Sequence, residues 1–290
     1  MGRCFAGDFE LEPFDAQTEE LMAIASKEKI GAYWHEVCTF LERGNDLGAE
    51  HSELTMTGPR TLGILEVGAP PSDFSGRFDG YAAMVGELLG EAFAYRAYNV
   101  PAGELPKQVT QCDVWLVTGS AAGVYDPEPW IAPLKGFIQA TSGQTPMVGI
   151  CFGHQLMAEA FGGQVIKSPK GWGIGLHRYD VSRPAAWMDD VAPVSLPVSH
   201  QDQVVGIGDG AEVLGGSDFT PFGMIAYPQR RALTIQAHPE FTPDYAKALI
   251  ALRRGKRFDE AHADAALATF ADADDRKRVG GWIARFLTTA

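Results

Sequence analysis

Short apolar runs alternate with helical patterns over much of the chain. Four runs are typical of buried strands, and two segments between them repeat apolar residues at the spacing of an amphipathic helix. The predicted strands are residues 62–67, 93–98, 114–118 and 147–150, and the predicted helices are residues 81–89 and 131–140. Strands that alternate with helices favour right-handed crossovers and a mostly parallel sheet covered on both faces. Functional sites in such sheets lie at the carboxyl ends of the strands.

The second half of the chain has a different pattern. Between residues 164 and 233, short β-like runs at 175–181, 211–214 and 224–227 are separated by many Gly and Pro residues, which predicts an antiparallel extension of the sheet. Residues 233–237 are predicted to form one more strand. Residues 243–286 are helical by pattern, in at least two pieces.

The first 58 residues carry no strand pattern. Apolar residues recur there at helical spacing around 21–25 and 34–41, which predicts two short helices, and Gly58-Pro59 marks a boundary. We therefore expect an N-terminal helical extension (1–58), an α/β domain (59–252) and a C-terminal helical segment (253–290). The extension either packs on the α/β domain, caps a partner or has no part in catalysis.

Charge and composition exclude several classes of function. The chain has a net charge of −13, and 12 acidic but only four basic residues fall within residues 1–58. Nucleic acid and anionic membranes need basic patches, so neither is expected as a partner. No stretch approaches the ~18 apolar residues of a membrane span, and residues 1–14 lack the basic and then apolar run of a signal peptide, so we expect cytoplasmic residence. The four cysteines form no CxxC pair, so free thiols and no metal or other cofactor are expected.

Cys151 stands in a sequence typical of a nucleophile elbow. A strand ends at Ile150, glycines flank the cysteine at positions 149 and 153, and a helical run follows to residue 161. The start of a helix favours a thiolate, so Cys151 is a competent nucleophile once a histidine lies beside it. The backbone N–H of Phe152 would then point to the oxyanion of a tetrahedral intermediate. The alternative is a small buried cysteine in a glycine-rich turn.

His238 and Glu240 are the candidate base and its orienting carboxylate. They follow the strand predicted at 233–237, and on an extended segment residues i and i+2 project to the same side. Glu240 would fix the tautomer of His238 and stabilise the imidazolium. The tripeptide His-Pro-Glu is weak evidence alone, but a cysteine elbow after one strand and a His-x-Glu after another is how a parallel sheet assembles a catalytic triad.

Two motifs resemble those of the class I (triad-type) glutamine amidotransferases. They are GICFGHQLMAEAFGG at residues 149–163 and IQAHPEF at residues 235–241, with VTGS at 117–120 where the family has its oxyanion loop. The resemblance covers roughly residues 61–252. Residues 170–175 (KGWGIG) are similar to stand-alone members that include plant-type γ-glutamyl peptidases, and Trp172 is either a core residue or a wall of the substrate pocket.

The resemblance implies a flavodoxin-like α/β three-layer sandwich in which Cys151 forms a γ-glutamyl thioester. It also implies that backbone N–H groups around Gly119 and Ser120 and of Phe152 form the oxyanion hole. The residues expected to contact the substrate are Gln155, Ser199, His200 and Gln201. The family more often has Gly-Gly-Pro in the oxyanion loop, where this chain has VTGSAAG, so the second donor stays open between Gly119 and Ser120.

Three functions compete at this point. The first is hydrolysis of glutamine, with the ammonia passed to a synthase on another chain, because the sequence has no P-loop pattern for activating an acceptor. The second is a γ-glutamyl peptidase that acts on γ-glutamyl peptides or conjugates through the same acyl-enzyme. The third is a non-catalytic binding protein that retains the fold.

Overall fold

A large mixed sheet forms the centre of the computed structural model, which describes residues 58–190 and 193–290. The strands are β1 (Thr61–Glu66), β2 (Ala94–Asn99), β3 (Val114–Val117), β4 (Met147–Ile150), β5 (Gln164–Lys167), β6 (Gly173–Val181), β7 (Val194–His200), β8 (Asp202–Gly206), β9 (Glu212–Gly216), β10 (Met224–Tyr227) and β11 (Ala232–Ile235). The helices of more than one turn are α1 (Tyr81–Leu89), α2 (Ile131–Thr141), α3 (Phe152–Ala160), α4 (Pro243–Arg253), α5 (Glu260–Ala268) and α6 (Arg276–Thr289).

Nine of these strands form one sheet in the order β2-β1-β3-β4-β11-β10-β9-β6-β7. The first five strands in that order are parallel to one another, and every pairing from β11 to β7 is antiparallel. Strands β5 and β8 pair separately as a two-stranded antiparallel sheet. The carboxyl ends of β1, β3, β4 and β11 therefore meet at one edge, where the predicted site residues follow their strands.

Helices cover both faces of the parallel part of the sheet. Each face has its own apolar cluster, because the short strands turn alternate side chains to opposite sides. One cluster joins α1 and α6 to the sheet through Val85, Trp282, Ile64 and Ile150, and the other joins α2 and α3 to it through Leu134, Leu156, Trp115 and Val117. This arrangement is the predicted flavodoxin-like three-layer sandwich with an antiparallel extension, which confirms the predicted fold class.

Most predicted elements lie within one or two residues of their observed positions. The segment predicted as helical from residue 243 contains α4, α5 and α6, and α6 packs into the same apolar cluster as β1 and β4. The two helices predicted before Gly58 lie outside the described residues. The division of the chain at residues 58 and 252 stays a prediction.

Three strands were missing from the predicted set, namely β5, β7 and β8. Strand β7 contains Pro197, and a proline inside an apolar run argues against a strand. The structure places β7 at the edge of the nine-stranded sheet, where a missing N–H costs no ladder hydrogen bond. The carbonyl of Pro197 instead accepts the backbone N–H of His238 at 2.8 Å, so this edge strand helps to position the predicted base.

Within the part of the chain that the structure describes, no helix has both the length and the apolar character that crossing a membrane requires.

Candidate active site

Cys151 occupies a sharp turn between β4 and α3. Its backbone has φ 50° and ψ −99°, a conformation that is costly for any residue except glycine. The turn is held from both sides, because the Cys151 N–H donates to the carbonyl of Ile235 at 2.9 Å and the Gly153 N–H donates to the carbonyl of Thr118 at 3.2 Å. This is the geometry of a nucleophile elbow, which lifts the cysteine above the ends of the strands.

Close approach of α3 to β3 explains the glycine at position 153. A Cβ atom on Gly153 would lie 2.5 Å from the carbonyl oxygen of Val117, much closer than any real carbon contact. The first turn of α3 can therefore rest on the end of β3 only if position 153 has no side chain. This packing fixes where the elbow holds Cys151.

His238 and Glu240 form a buried hydrogen-bonded pair. The His238 Nδ1 lies 2.7 Å from Glu240 Oε1, and the two residues are 4% and 2% exposed. The sequence argument expected an extended segment here, and that expectation is wrong. β11 ends at Ile235, and the Phe241 N–H donates to the His238 carbonyl at 3.2 Å, so the pair lies in a turn that brings the two side chains together.

Phe241 fixes the plane of the histidine ring. Its ring stacks on that of His238 with centroids 3.9 Å apart and an interplanar angle of 6°. With Glu240 bonded to Nδ1 and Phe241 against one face, the imidazole is held in one orientation. The sequence argument did not assign this role to Phe241, and its only signal was its position directly after the His-Pro-Glu tripeptide.

Gly119 lies between the histidine and the cysteine. A Cβ atom at this position would lie 2.8 Å from His238 Cε1 and 3.6 Å from the Cβ of Cys151, so the three residues meet at the ends of β3, β4 and β11. Burial by itself lowers the pKa of His238, but the negative charges of Cys151 and Glu240 outweigh it and raise the pKa to about 10. The ring is therefore protonated at neutral pH.

The residues predicted to form the oxyanion hole border the same point. Phe152 is the first residue of α3, and Gly119 and Ser120 follow β3. Among residues 58–190 and 193–290, the N–H groups of Gly119, Ser120 and Phe152 donate no hydrogen bond, so all three stay available. Their role in the oxyanion hole remains a prediction.

A cavity of about 280 Å³ opens above Cys151. All four residues predicted to contact the substrate line it, namely Gln155, Ser199, His200 and Gln201, together with Ser120. The side-chain amide of Gln155 already donates to the carbonyl of Asp202 at 2.9 Å and to Gln236 Oε1 at 3.2 Å. Gln155 therefore has only its oxygen free for a ligand.

His200 is a buried, neutral histidine in the cavity lining. Its Nδ1 lies 3.1 Å from the carbonyl oxygen of Asp202 and donates to it, and burial lowers the pKa of His200 to about 3. The ring is therefore neutral, and its Nε2, which has no hydrogen-bond partner in the described part of the chain, is an acceptor. This nitrogen is buried, and the contact of His200 with the substrate stays a prediction.

The cavity also has three lining residues to which the sequence argument gave no certain role. The sequence allows Trp172 to be either a core residue or a wall of the pocket. In the structure it is half-buried and lines the cavity together with Arg253 and Arg257. The two arginines follow the end of the predicted α/β domain. Their sequence signal was a basic cluster at residues 253–257 (RRGKR) in a chain of strongly negative net charge.

Comparisons with known proteins agree with this geometry. The family model described as glutamine amidotransferase class-I matches residues 94–253. A glutamine amidotransferase-like protein of Schizosaccharomyces pombe is 28% identical over 78% of this chain and 98% of its own length. Gamma-glutamyl peptidase 5 of Arabidopsis thaliana is 29% identical over 71% of this chain and 84% of its own length.

A solved structure shares the fold. The crystal structure of a glutamine amidotransferase from Thermotoga maritima aligns with a TM-score of 0.60 and 18% identity, covering 79% of this chain and 96% of that chain. Because the family model spans more than half of the chain, the protein belongs to the class I glutamine amidotransferase family. This confirms the resemblance seen in the motifs at Cys151 and His238.

Proposed function

We propose that the protein hydrolyses γ-glutamyl amide bonds through a thioester on Cys151. The observation that supports this most directly is the meeting of Cys151, which lines the cavity, with the buried pair of protonated His238 and Glu240. A thiolate beside an imidazolium is an activated nucleophile with an acid for the leaving group. Membership of the class I glutamine amidotransferase family indicates γ-glutamyl amides as the substrate class.

The reaction runs in two steps. The Cys151 sulfur attacks the Cδ carbon of the γ-glutamyl group, and the C–N bond breaks as the His238 imidazolium gives its proton to the leaving amine. Water then attacks the thioester, His238 takes a proton from it, and the C–S bond breaks to release glutamate. The N–H of Phe152, with that of Gly119 or Ser120, stabilises the oxyanion in both steps.

The leaving amine distinguishes two candidate activities. With glutamine it is ammonia, which a synthase on another chain could consume. With a γ-glutamyl peptide it is an amino acid or peptide, and the two arginines in the cavity favour this second activity because they can receive a carboxylate. The similarity to gamma-glutamyl peptidase 5 of Arabidopsis thaliana supports it as well.

The test is turnover by the purified full chain. Ammonia release from glutamine is measured beside amine release from γ-glutamyl dipeptides, for the wild type and for Cys151→Ala and His238→Ala. We expect both variants to be nearly inactive, whereas Cys112→Ala, which removes a buried thiol outside the cavity, keeps its turnover. Normal turnover in Cys151→Ala would rule out the thioester.

The same material tests the non-catalytic alternative. A glutamine-analogue electrophile should label Cys151 and not Cys112, because of the two cysteines in the described residues only Cys151 lies beside a protonated histidine. Failure to label Cys151, together with no turnover of any γ-glutamyl compound, would favour a binding protein that retains the fold.

A further inference from the structure

Two guanidinium groups in the cavity lie close to the same indole ring. The Cζ of Arg253 lies 5.9 Å, and that of Arg257 5.5 Å, from the ring centroid of Trp172. All three residues line the cavity above Cys151. Stacking on an aromatic ring orients a guanidinium while leaving the N–H groups at its edge free for a planar anion.

Neither arginine is neutralised by an acid. In the described parts of the chain, no carboxylate lies within 4.0 Å of a nitrogen of Arg253 or Arg257. The cavity lining also has two carboxylates, Asp126 and Asp202, which accept the Gly123 N–H at 2.7 Å and the Tyr125 hydroxyl at 2.8 Å, and one further cation, Lys167. The lining therefore has three cations against two carboxylates, and because neither arginine is paired with an acid, the excess positive charge favours an anionic ligand.

The two arginines have different surroundings. Arg253 is partly buried and donates from its guanidinium to Ser199 Oγ at 2.9 Å. Arg257 begins one helical turn further along, where its N–H donates to the Arg253 carbonyl at 2.9 Å, and its side chain is exposed. Within the described residues its guanidinium donates no hydrogen bond to the protein. Arg257 is therefore free to bind a ligand group that lies toward the open side of the cavity.

We propose that Arg257, stacked on Trp172, binds the carboxylate of the leaving amino acid. This inference rests on the proposed γ-glutamyl hydrolysis and narrows it, because it makes γ-glutamyl amino acids with a free carboxylate better substrates than glutamine or neutral γ-glutamyl amides. A guanidinium binds a carboxylate through two parallel N–H···O bonds, which neither a primary amide nor ammonia can accept in the same way.

The experiment compares two dipeptides that differ only in this charge. The purified full chain is given γ-glutamyl-alanine and γ-glutamyl-alaninamide, as the wild type and as Arg257→Gln, Arg257→Lys and Lys256→Gln. A charged hydrogen bond is worth about tenfold to hundredfold in affinity, so the wild type should prefer the free acid by that factor in kcat/KM. Arg257→Gln should bring the ratio close to one, mainly through KM, and Arg257→Lys should restore part of it.

Lys256→Gln is the matched control, because it removes an exposed positive charge from the neighbouring position, outside the cavity lining. It should leave the preference for the free acid unchanged. An unchanged ratio in Arg257→Gln would overturn the proposal. An equal loss on both dipeptides would overturn it too, because the guanidinium would then bind the α-carboxylate of the glutamyl group, which the two substrates share.

A binding measurement separates this proposal from the proposed function. If the wild type turns over no γ-glutamyl compound, the hydrolase proposal is wrong. Calorimetry on Cys151→Ala then tests separately whether Arg257 binds the carboxylate. The carboxylate subsite is supported if Cys151→Ala binds γ-glutamyl-alanine more tightly than its amide and if the double variant Cys151→Ala/Arg257→Gln loses this preference. Equal affinities would overturn it.

Discussion

At the scale of single residues, the proposed chemistry depends on the buried pair of His238 and Glu240. Glu240 is almost completely buried, its Oε1 bonds to His238, and its Oε2 has no hydrogen-bond partner among the residues described. A carboxylate in such a position is stabilised mainly by the positive charge beside it. Removing the negative charge of Glu240 should therefore lower the pKa of His238.

Glu240→Gln keeps the shape of the side chain and removes its charge. We expect kcat to fall about tenfold to hundredfold, less than in His238→Ala, because the carboxylate acts through the base. The pKa of His238, raised to about 10 in the wild type, should fall in the variant. Steady-state kinetics and an NMR titration of the His238 ring measure the two effects. A variant with wild-type kcat and an unshifted histidine would show that Glu240 does not orient the base.

The sequence allowed the candidate triad to be proposed because each of its residues stands in a short local motif. Cys151 lies between two glycines after an apolar run, and His238 and Glu240 flank a proline. Arg257 and the stacking of Phe241 on His238 could not be predicted in this way. The place of Arg257 depends on how α4 packs against β6 and β7, and the stacking of Phe241 depends on the turn after β11, neither of which a local pattern records.

At the scale of secondary structure elements, the contact between α3 and β3 sets the height of the elbow. Strands β5 and β8 were missed because they are short, partly exposed and paired only with each other. The parallel strands β1, β3, β4 and β11 were predictable because they are almost entirely buried and apolar, whereas the parallel edge strand β2 is mostly exposed. Element packing is tested well at the elbow, because a helix and a strand approach each other closely there.

Gly153→Ala should destabilise the protein by about 2–4 kcal/mol, because the new Cβ must push α3 away from the Val117 carbonyl. Gly136→Ala is a matched control in α2, where the added Cβ meets no atom within 4 Å. That variant should be more stable than the wild type by about 0.5–1 kcal/mol. Denaturant unfolding measures both. Equal stabilities for the two variants would contradict the packing argument.

At the scale of the whole molecule, buried neutral histidines make stability depend on pH. His154 is fully buried and its Nδ1 lies 2.8 Å from Thr234 Oγ1, and burial lowers the pKa of both His154 and His200 to about 3. In the unfolded chain a histidine titrates near pH 6.5. Between about pH 6.5 and 3 the unfolded state therefore binds protons that the folded state does not.

The protein should consequently lose stability as the pH falls through this window. Each of the two histidines contributes up to about 1.4 kcal/mol per pH unit. His154→Gln should reduce that slope even if the variant is less stable overall, because the slope depends on bound protons and not on absolute stability. Denaturant unfolding at a series of pH values gives the slope. A variant with the wild-type slope would mean that His154 is not neutral in the fold.

The central claim is that Cys151 carries the acyl group of the substrate. Intact-protein and peptide mass spectrometry after rapid acid quench of the enzyme mixed with γ-glutamyl-alanine measures it directly. The account predicts a γ-glutamyl adduct on Cys151 that forms within one turnover, decays as glutamate appears and is absent in Cys151→Ala. Turnover without an adduct on Cys151, or undiminished turnover in the alanine variant, would contradict it.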